Sequence, residues 1–160
     1  MTTESVNHAA VGTPLVRSAM PADLVAIERL LTESSLPLDG VRDALADFVV
    51  AEAGGALVGV AGLEVCCEHA LLRSVAVLPV WRSHGLGRAL VTRVISDAEA
   101  RGIRALYLLT TTAERYFPGF GFTPVVRSDV PADVQATSEF RSACPATATV
   151  MRRPAGAAAP

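Results

Sequence analysis

The sequence Leu-Leu-Arg-Ser-Val-Ala-Val-Leu-Pro-Val-Trp-Arg-Ser-His-Gly-Leu-Gly, at residues 71–87, joins three kinds of pattern. Its apolar first half predicts a strand that ends at Pro79, because proline has no N–H to donate to a sheet ladder. A short basic loop follows. After Gly85 and Gly87 the apolar residues recur at helical spacing, which predicts a helix over residues 86 to about 101. The order is therefore strand, glycine loop, helix.

This loop is suited to hold an anion. The first N–H groups of a helix have no carbonyl partner in their own helix, and the helix dipole places partial positive charge there. Glycines let a phosphate approach those N–H groups closely, and Arg82 and Arg88 would add full charges. The pattern predicts a diphosphate site at the end of a strand. It is neither a Walker A loop nor a full G-x-G-x-x-G fingerprint, and an ordinary strand-to-helix turn is the alternative explanation.

The first two thirds of the chain are predicted to form a strand, two helices and an antiparallel meander that leads into the glycine loop. Gly54-Gly55 marks one hairpin, and residues 66–69 mark the next tight link. Because a helix separates the third strand of the meander from the next apolar strand, these two strands should run parallel. The predicted elements are a strand at 15–17, helices at 22–33 and 39–45, and strands at 48–52, 56–65, 70–78 and 105–110.

The C-terminal third shows weaker patterns. We expect a short helix from residue 113 to about 118, a strand near 122–126, a helical turn at 131–135, irregular structure at 138–145 and a last strand at 146–151. Residues 1–12 and 153–160 are polar or of low complexity, and they are predicted to be a disordered leader and tail. Residues 13–152 are predicted to form one domain between them.

The composition is typical of a folded domain. With 160 residues, of which 51% are hydrophobic and 19% charged, the chain is long and apolar enough to bury a core. A net charge of −2 argues against a nucleic-acid-binding protein, and no apolar run predicts a membrane span. The three cysteines, Cys66, Cys67 and Cys144, are a poor disulfide framework, which favours a reducing, cytoplasmic compartment.

Arg82-x-x-Gly85-x-Gly87 resembles motif A of the GNAT superfamily of N-acetyltransferases, in which this loop binds the pyrophosphate of acetyl-CoA. Two further stretches strengthen the resemblance: Leu-Tyr-Leu-Leu-Thr at 106–110, and residues 113–122, which look like GNAT motif B. The match extends over about residues 14–151. It implies an α/β (α+β) GNAT fold, with a mixed central sheet of about 6–7 strands around a β-α-β core that binds acetyl-CoA.

A narrower resemblance is carried by Arg-Ser-Val-Ala-Val at 73–77, by residues 106–114 and by Ser-Glu-Phe…Cys-Pro at 138–145. These tracts are similar to the arsenic-resistance N-acetyltransferases of the superfamily and to short N-acetylglutamate-synthase-like proteins. The resemblance implies that the acceptor is a small amino-acid-like amine, such as glutamate or a phosphinic or arsinic analogue of it, and that the enzyme confers resistance.

The resemblance also implies which residues serve the cofactor. The backbone of the central strand would hold the pantetheine arm where this strand splays from the next one, and the N–H of Ala76 or Val77 would bind the oxyanion. The loop would hold the pyrophosphate. The expected cofactor-binding residues are Val75, Ala76, Val77, Arg82, Ser83, His84, Gly85, Leu86, Gly87 and Arg88. No metal is expected.

Direct acetyl transfer to an amine needs a base and an acid. Glu64 is the expected base, because a half-buried carboxylate in an apolar strand can take a proton; His69 is the alternative, and Glu64 could instead simply face solvent. The usual acid of the family is a tyrosine four residues before the Gly-Phe pair, where this chain has Phe117. Tyr116, rotated by about 100° on a helix, is the expected acid, unless the thiolate leaves without one.

The acceptor is expected to meet Arg73, Ser74 and Thr111. An arginine in an apolar strand needs an anionic partner, and a substrate carboxylate could pair with it bidentately. An internal ion pair with Glu64 or Glu52 is the alternative. Weaker candidates for substrate contacts are Arg17, Arg127 and Glu139.

Other functions stay open: acetylation of an antibiotic or of a protein N-terminus, and a regulator that binds acyl-CoA without turning it over. A homodimer paired through the last strand also stays open, whereas neither a nucleic acid nor a membrane is an expected partner. Chelation of arsenic by the cysteines is disfavoured, because Cys66 and Cys67 would point to opposite faces of a strand.

Overall fold

The computed structural model describes residues 12–143 and 145–157. The predicted leader, Cys144 and the last three residues of the predicted tail lie outside this part. The strands of the described chain are β1 Leu15–Ser18, β2 Phe48–Ala53, β3 Ala56–Cys66, β4 His69–Val77, β5 Ala105–Thr110, β6 Thr123–Pro124 and β7 Thr149–Pro154. Its α-helices are α1 Leu24–Glu33, α2 Val41–Ala44, α3 Leu86–Ala100 and α4 Ala132–Gln135.

The strands form one mixed sheet in the order β1-β2-β3-β4-β5-β7-β6, so the predicted mixed sheet is confirmed. β4 and β5 are parallel, as expected for strands joined through a helix, and the other neighbouring strands are antiparallel. α3 packs against β2, β3 and β4 on one face of the sheet, and α1 and α2 pack on the other face. Apolar residues of the strands fill a core under α3 and a core under α1 and α2, and a third cluster joins β5, β7 and α4.

β4 and β5 separate halfway along their length. Their pairing covers three positions and ends at Leu71↔Tyr107, although β4 continues to Val77 and β5 to Thr110. The ends of the two strands therefore leave a gap in the middle of the sheet, directly before the glycine loop.

A β-bulge lies in β4 beside this gap. Gly62 of β3 pairs with Arg73, but Val60 pairs with Ala76, so β4 has one residue more than its partner between these two pairs. Ser74 takes up the extra residue with a φ of 57°, in the left-handed region that non-glycine residues rarely adopt. A bulge leaves its extra residue outside the ladder and turns the strand, so backbone groups of β4 become available at the gap.

Close packing of β2 on β3 explains a glycine in the middle of the sheet. Phe48 is 1% exposed, and its ring packs against Gly62. A Cβ at Gly62 would lie 2.4 Å from two ring carbons of Phe48, which is far inside van der Waals contact. Gly62 therefore makes room for an aromatic side chain that anchors the core under α1 and α2.

The region after β5 is less regular than the sequence suggested. Instead of a short helix from residue 113, a single 3-10 helix covers Phe117–Phe120, and the turn before it is held by Thr110, whose Oγ1 accepts the N–H of Ala113 at 2.9 Å. Residues 138–145, expected to be irregular, include a π-helical turn at Glu139–Ala143. Insertions of this kind occur frequently at functional sites.

The last strand runs to Pro154, beyond the expected domain end at residue 152. Arg153 is 7% exposed and connects three parts of the chain. Its Nε donates to the carbonyl of Phe120 at 2.7 Å, and its Nη1 lies 2.7 Å from Oε1 of Glu99 in α3. Residues 153 and 154 are therefore part of the folded unit, because Arg153 fixes both the end of α3 and the 3-10 helix after β5.

We predict that Gly62→Ala lowers the free energy of unfolding by about 1–3 kcal/mol, the usual cost of forcing extra atoms into a packed core. Urea titration would measure it. Gly119→Ala is the matched control, because a Cβ at Gly119 meets no atom within 4 Å; its effect should stay within about 0.5 kcal/mol. Equal effects of the two substitutions would contradict the assigned packing of Phe48.

Arg153→Met should lower the free energy of unfolding by about 1–3 kcal/mol, because the Phe120 carbonyl loses a charged donor. The difference should also depend on pH. Arg153 holds the pKa of Glu99 below its usual value, so this contribution is present at neutral pH and is lost as the pH falls through the pKa of Glu99 in the folded protein. Denaturant titrations at neutral and acid pH would measure both effects. A difference that does not shrink on acidification would contradict the ion pair, and Glu99→Gln should show the same reduced pH dependence.

Candidate active site

A cavity of about 610 Å³ occupies the gap between β4 and β5. The outer half of β4 forms one wall, and the end of β5 with the turn after it forms the other. The glycine loop and the start of α3 close one end, and residues near Arg73 close the opposite end. This cleft can take a ligand that carries an anionic group at the loop end.

The loop has the backbone conformation of an anion site. Ser83 and Gly85 both adopt positive φ, 67° and 77°, and Gly85 immediately precedes the first turn of α3. Arg82 uses its Nε to bind the carbonyl of Val77 at 3.1 Å, which ties the loop to the end of β4. Arg88 also borders the cavity, so two arginines and a helix start meet at this end.

Tyr116 faces this same end of the cavity. Its hydroxyl lies 3.1 Å from the position that a Cβ on Gly87 would occupy, so a side chain at Gly87 would contact it. The ring packs edge-on against Phe117 and Phe120. Burial raises the pKa of the Tyr116 hydroxyl above its usual value, and the charge of Arg88 offsets part of the rise. The hydroxyl is therefore protonated at neutral pH and can donate a hydrogen bond or a proton.

A buried ion cluster closes the opposite end. The side chain of Arg73 is completely buried, and its Nη1 lies 3.2 Å from Oε2 of Glu64. On the other side its Nε donates to Ser74 Oγ at 3.1 Å and lies 3.3 Å from Oε2 of Glu139. Nη2 of Arg73 is buried and makes no hydrogen bond within the described residues. Arg73 is thus held between two carboxylates, one of which, Glu139, borders the cavity.

Gly40 covers this cluster from outside. It adopts a φ of 76°, and a Cβ on it would lie 3.1 Å from Nη1 of Arg73 and 2.6 Å from Oγ of Ser138. Ser34 and Leu36, from the segment between α1 and α2, border the same end of the cavity. The segment before α2 and the segment after α4 therefore meet over Arg73.

Most of the residues expected from the sequence lie together around this cavity. Those that border it are Arg73, Ser74, Val75, Ala76, Val77, Arg82, Ser83, Gly85, Leu86, Gly87, Arg88 and Tyr116. Three expected residues do not border it: Glu64, His84 and Thr111. His84 packs edge-on against Trp81 in the loop, with ring centroids 6.1 Å apart, and Thr111 is exposed.

Glu64 and His69, the two expected bases, lie away from the centre of the cavity. Glu64 is diagonal to Arg73 across the β3–β4 ladder and pairs with it, as one of the sequence alternatives allowed. His69 begins β4 at the opposite end of the strand, where its Nδ1 lies 3.2 Å from Asp133 of α4. The carboxylate that does border the cavity is Glu139, which the sequence marked only as a weak candidate.

Cys66 and Cys67 do not border the cavity. Burial raises the pKa of the Cys66 thiol to about 12, so this thiol stays protonated and is a poor ligand or nucleophile at neutral pH. Cys67 is exposed in the turn after β3. Among the described residues no group of three or more histidine, cysteine or acidic side chains could hold a metal ion. Likewise, none of the described helices is long and apolar enough to cross a membrane.

Comparison with known proteins agrees with this architecture. The model of the GNAT acetyltransferase domain matches residues 44–124. An amino-acid acetyltransferase of Mycobacterium tuberculosis is 32% identical over 133 residues, an alignment that covers 76% of this chain and 75% of that protein. The chain also matches longer amino-acid acetyltransferases, of which it covers only 20% and 15%.

Two solved structures resemble this fold closely. A Mycobacterium tuberculosis protein in complex with CoA and NLQ superimposes with a TM-score of 0.75 and 26% identity, over 88% of this chain and 99% of that one. The N-acetylglutamate synthase of Neisseria gonorrhoeae, in complex with coenzyme A and N-acetyl-glutamate, gives a TM-score of 0.77 at 22% identity, over 90% of this chain and 35% of that one.

The predicted fold and the predicted class of enzyme, an acetyl-CoA-dependent acetyltransferase, are confirmed at the level of the family. The cleft between splayed parallel strands, the glycine loop at its end and the matching domain model agree with one another. This chain belongs to the GNAT acetyltransferase family.

Proposed function

We propose that the protein transfers the acetyl group of acetyl-CoA to the amine of a small amino acid. The observation that carries the proposal is the cleft itself, with an anion-binding loop at one end and a buried arginine beside two carboxylates at the other. The related amino-acid acetyltransferase supports an amino acid as the acceptor. Glutamate and its phosphinic and arsinic analogues are the acceptors to test first.

Acetyl-CoA would lie along β4. Its pyrophosphate would bind the loop from Arg82 to Arg88, where N–H groups and two guanidinium groups meet. The pantetheine arm would follow the backbone of Val75 to Val77, which has no strand partner on the β5 side at this level. The thioester then reaches the bulge at Ser74, where backbone N–H groups outside the ladder can stabilise the oxyanion.

The amino acid would bind at the Arg73 end of the cleft, beside the segment before α2. Its carboxylate would bind Arg73, because Nη2 of this residue is buried without a hydrogen-bond partner among the described residues, a state that costs free energy. Ser74 and the end of β5 would position the amine against the thioester. Attack by the amine forms the C–N bond, the C–S bond breaks, and the sulfur leaves as CoA thiolate.

Tyr116 is the residue proposed to protonate the departing CoA thiolate or to donate a hydrogen bond to it. Its hydroxyl is protonated at neutral pH and borders the cavity, but it lies against Gly87 at the loop end. A hydrogen bond from this position to the phosphate end of the cofactor fits the same geometry. A homodimer, a cytoplasmic location and a role in arsenic resistance stay predictions of the sequence.

A thiol-release assay with acetyl-CoA and a panel of amines tests the proposal. The panel should hold amino acids, glutamate analogues, an aminoglycoside and a peptide with a free N-terminus. Turnover that is highest with amino acids supports the proposal. Turnover confined to the aminoglycoside or the peptide would contradict the acceptor class. Tight binding of acetyl-CoA without turnover of any amine would instead indicate a regulator.

Arg73→Ala should raise the KM for the amino acid by about 10- to 100-fold, because a charged hydrogen bond to the carboxylate contributes about 1.5–3 kcal/mol. The KM for acetyl-CoA should change little. Steady-state kinetics with each substrate varied in turn would measure both values. Arg73→Lys keeps the charge that separates Glu64 from Glu139 and controls for loss of folding. Equal increases in both KM values would contradict the carboxylate role.

Gly87→Ala should weaken acetyl-CoA binding by roughly tenfold, about 1.4 kcal/mol, because the new methyl group would lie 3.1 Å from the Tyr116 hydroxyl. Calorimetry with CoA would measure it. The double variant Gly87→Ala/Tyr116→Phe removes that hydroxyl and should recover most of the affinity. A double variant no better than Gly87→Ala would show that the contact with Tyr116 is not what limits binding.

A further inference from the structure

The ion cluster around Arg73 joins one cation to two anions. Its three buried or half-buried side chains are one guanidinium and the carboxylates of Glu64 and Glu139, so the trio has a formal charge of −1. Removing charges from water is costly unless they are balanced by partners. A cation that enters the cavity can pair with the carboxylate of Glu139, which borders it, and an amino acid brings such a cation as its ammonium group.

The two carboxylates differ in position. Glu64 lies on β3 and does not border the cavity, whereas Glu139 borders the cavity and is 6% exposed. Glu139 is also the first residue of the π-helical turn Glu139–Ala143. π-helical turns are frequent at functional sites. Glu139 therefore approaches Arg73 from outside the sheet, whereas Glu64 is fixed opposite Leu71 in the β3–β4 ladder.

We propose that the Arg73–Glu139 ion pair holds the place of a zwitterionic acceptor, and that Glu139 receives the ammonium group and takes a proton from it. The proposal rests on the amino-acid acetyltransferase function above. When the acceptor binds, its carboxylate replaces Glu139 at Arg73, and its ammonium group pairs with Glu139. One ion pair is thereby exchanged for two.

The exchange also prepares the amine for reaction. One ammonium proton passes to a carboxylate oxygen of Glu139, which leaves a neutral amine with a free electron pair. The nitrogen forms the bond to the acetyl carbon, the C–S bond breaks, and its electron pair stays on sulfur. The second proton of the nitrogen passes to that sulfur, directly or through Tyr116, and the proton on Glu139 returns to solvent. Glu139 thus takes the part that the sequence assigned to Glu64.

Glu139→Gln, which keeps the shape and removes the charge, tests the exchange with two ligands. One ligand is the best amino acid of the panel, and the other is the same acid without its amine. In the variant, kcat/KM for the amino acid should fall at least 100-fold. Inhibition by the amine-free acid should become several-fold tighter, because Glu139 no longer competes for Arg73. The Kd for acetyl-CoA should stay within about twofold of wild type, as a check of folding.

The variant should thus use the amino acid less well and bind the amine-free acid more tightly. A merely structural role of Glu139 would weaken both. If the variant loses affinity for both ligands alike, or if it is as active as wild type, the proposal is wrong. The proposal is also wrong if Glu64→Gln, and not Glu139→Gln, lowers kcat/KM for the amino acid while it tightens inhibition by the amine-free acid. Glu68→Gln, at an exposed residue paired with Arg104 on the surface, is the matched control and should match wild type.

Failure of the wider function would look different. If the wild-type protein binds acetyl-CoA but acetylates no amino acid, the proposed function fails, and the role of Glu139 fails with it. If the wild-type protein acetylates amino acids and Glu139→Gln does so equally well, only the role of Glu139 is wrong.

Discussion

The separation of β4 from β5 beyond Leu71 and Tyr107 is the constraint on which the site depends. Two parallel strands that stayed paired would fill the centre of the sheet with a hydrogen-bond ladder and leave no room for a ligand. Here the ladder stops after three pairs, and the bulge at Ser74 turns the end of β4 away. The backbone groups left without a ladder partner are the ones that a pantetheine arm and an oxyanion could use. The glycine loop then lies at the end of the same cleft, because it follows β4 directly.

The opposite end of the cleft depends on charges rather than on backbone. A buried arginine is stable only with anionic partners, and Arg73 has Glu64 on one side and Glu139 on the other. Glu64 comes from the adjacent strand, so the sheet register places it. Glu139 comes from a segment more than sixty positions further along the chain, as the residue numbers show. The two ends of the cleft therefore differ in origin, because the loop end is contiguous in the sequence and the charged end joins residues that are far apart in it.

Local patterns predicted much of the fold. The helical spacing after Gly85 gave α3 its correct start, and the apolar runs with tight links gave the meander and the parallel β4–β5 pair. Prediction was weaker where order comes from distant contacts. The 3-10 helix at Phe117–Phe120 is held by Thr110 on one side and by Arg153 on the other. No local pattern marks residue 153 as part of the core, since an arginine beside a small-residue tail is typical of solvent-exposed sequence.

By itself the sequence determined the family and the place of the glycine loop between a strand and a helix, because these three elements are contiguous in the chain. The sequence also predicted, as an alternative, an ion pair between Arg73 and Glu64. The structure shows these two residues as diagonal neighbours on paired strands. Only the tertiary structure decided which carboxylate borders the cavity. Glu139 reaches Arg73 from the start of a π-helical turn, and Ser138 just before that turn packs against Gly40. Such contacts depend on the path of the whole chain, and spacing within one element does not encode them.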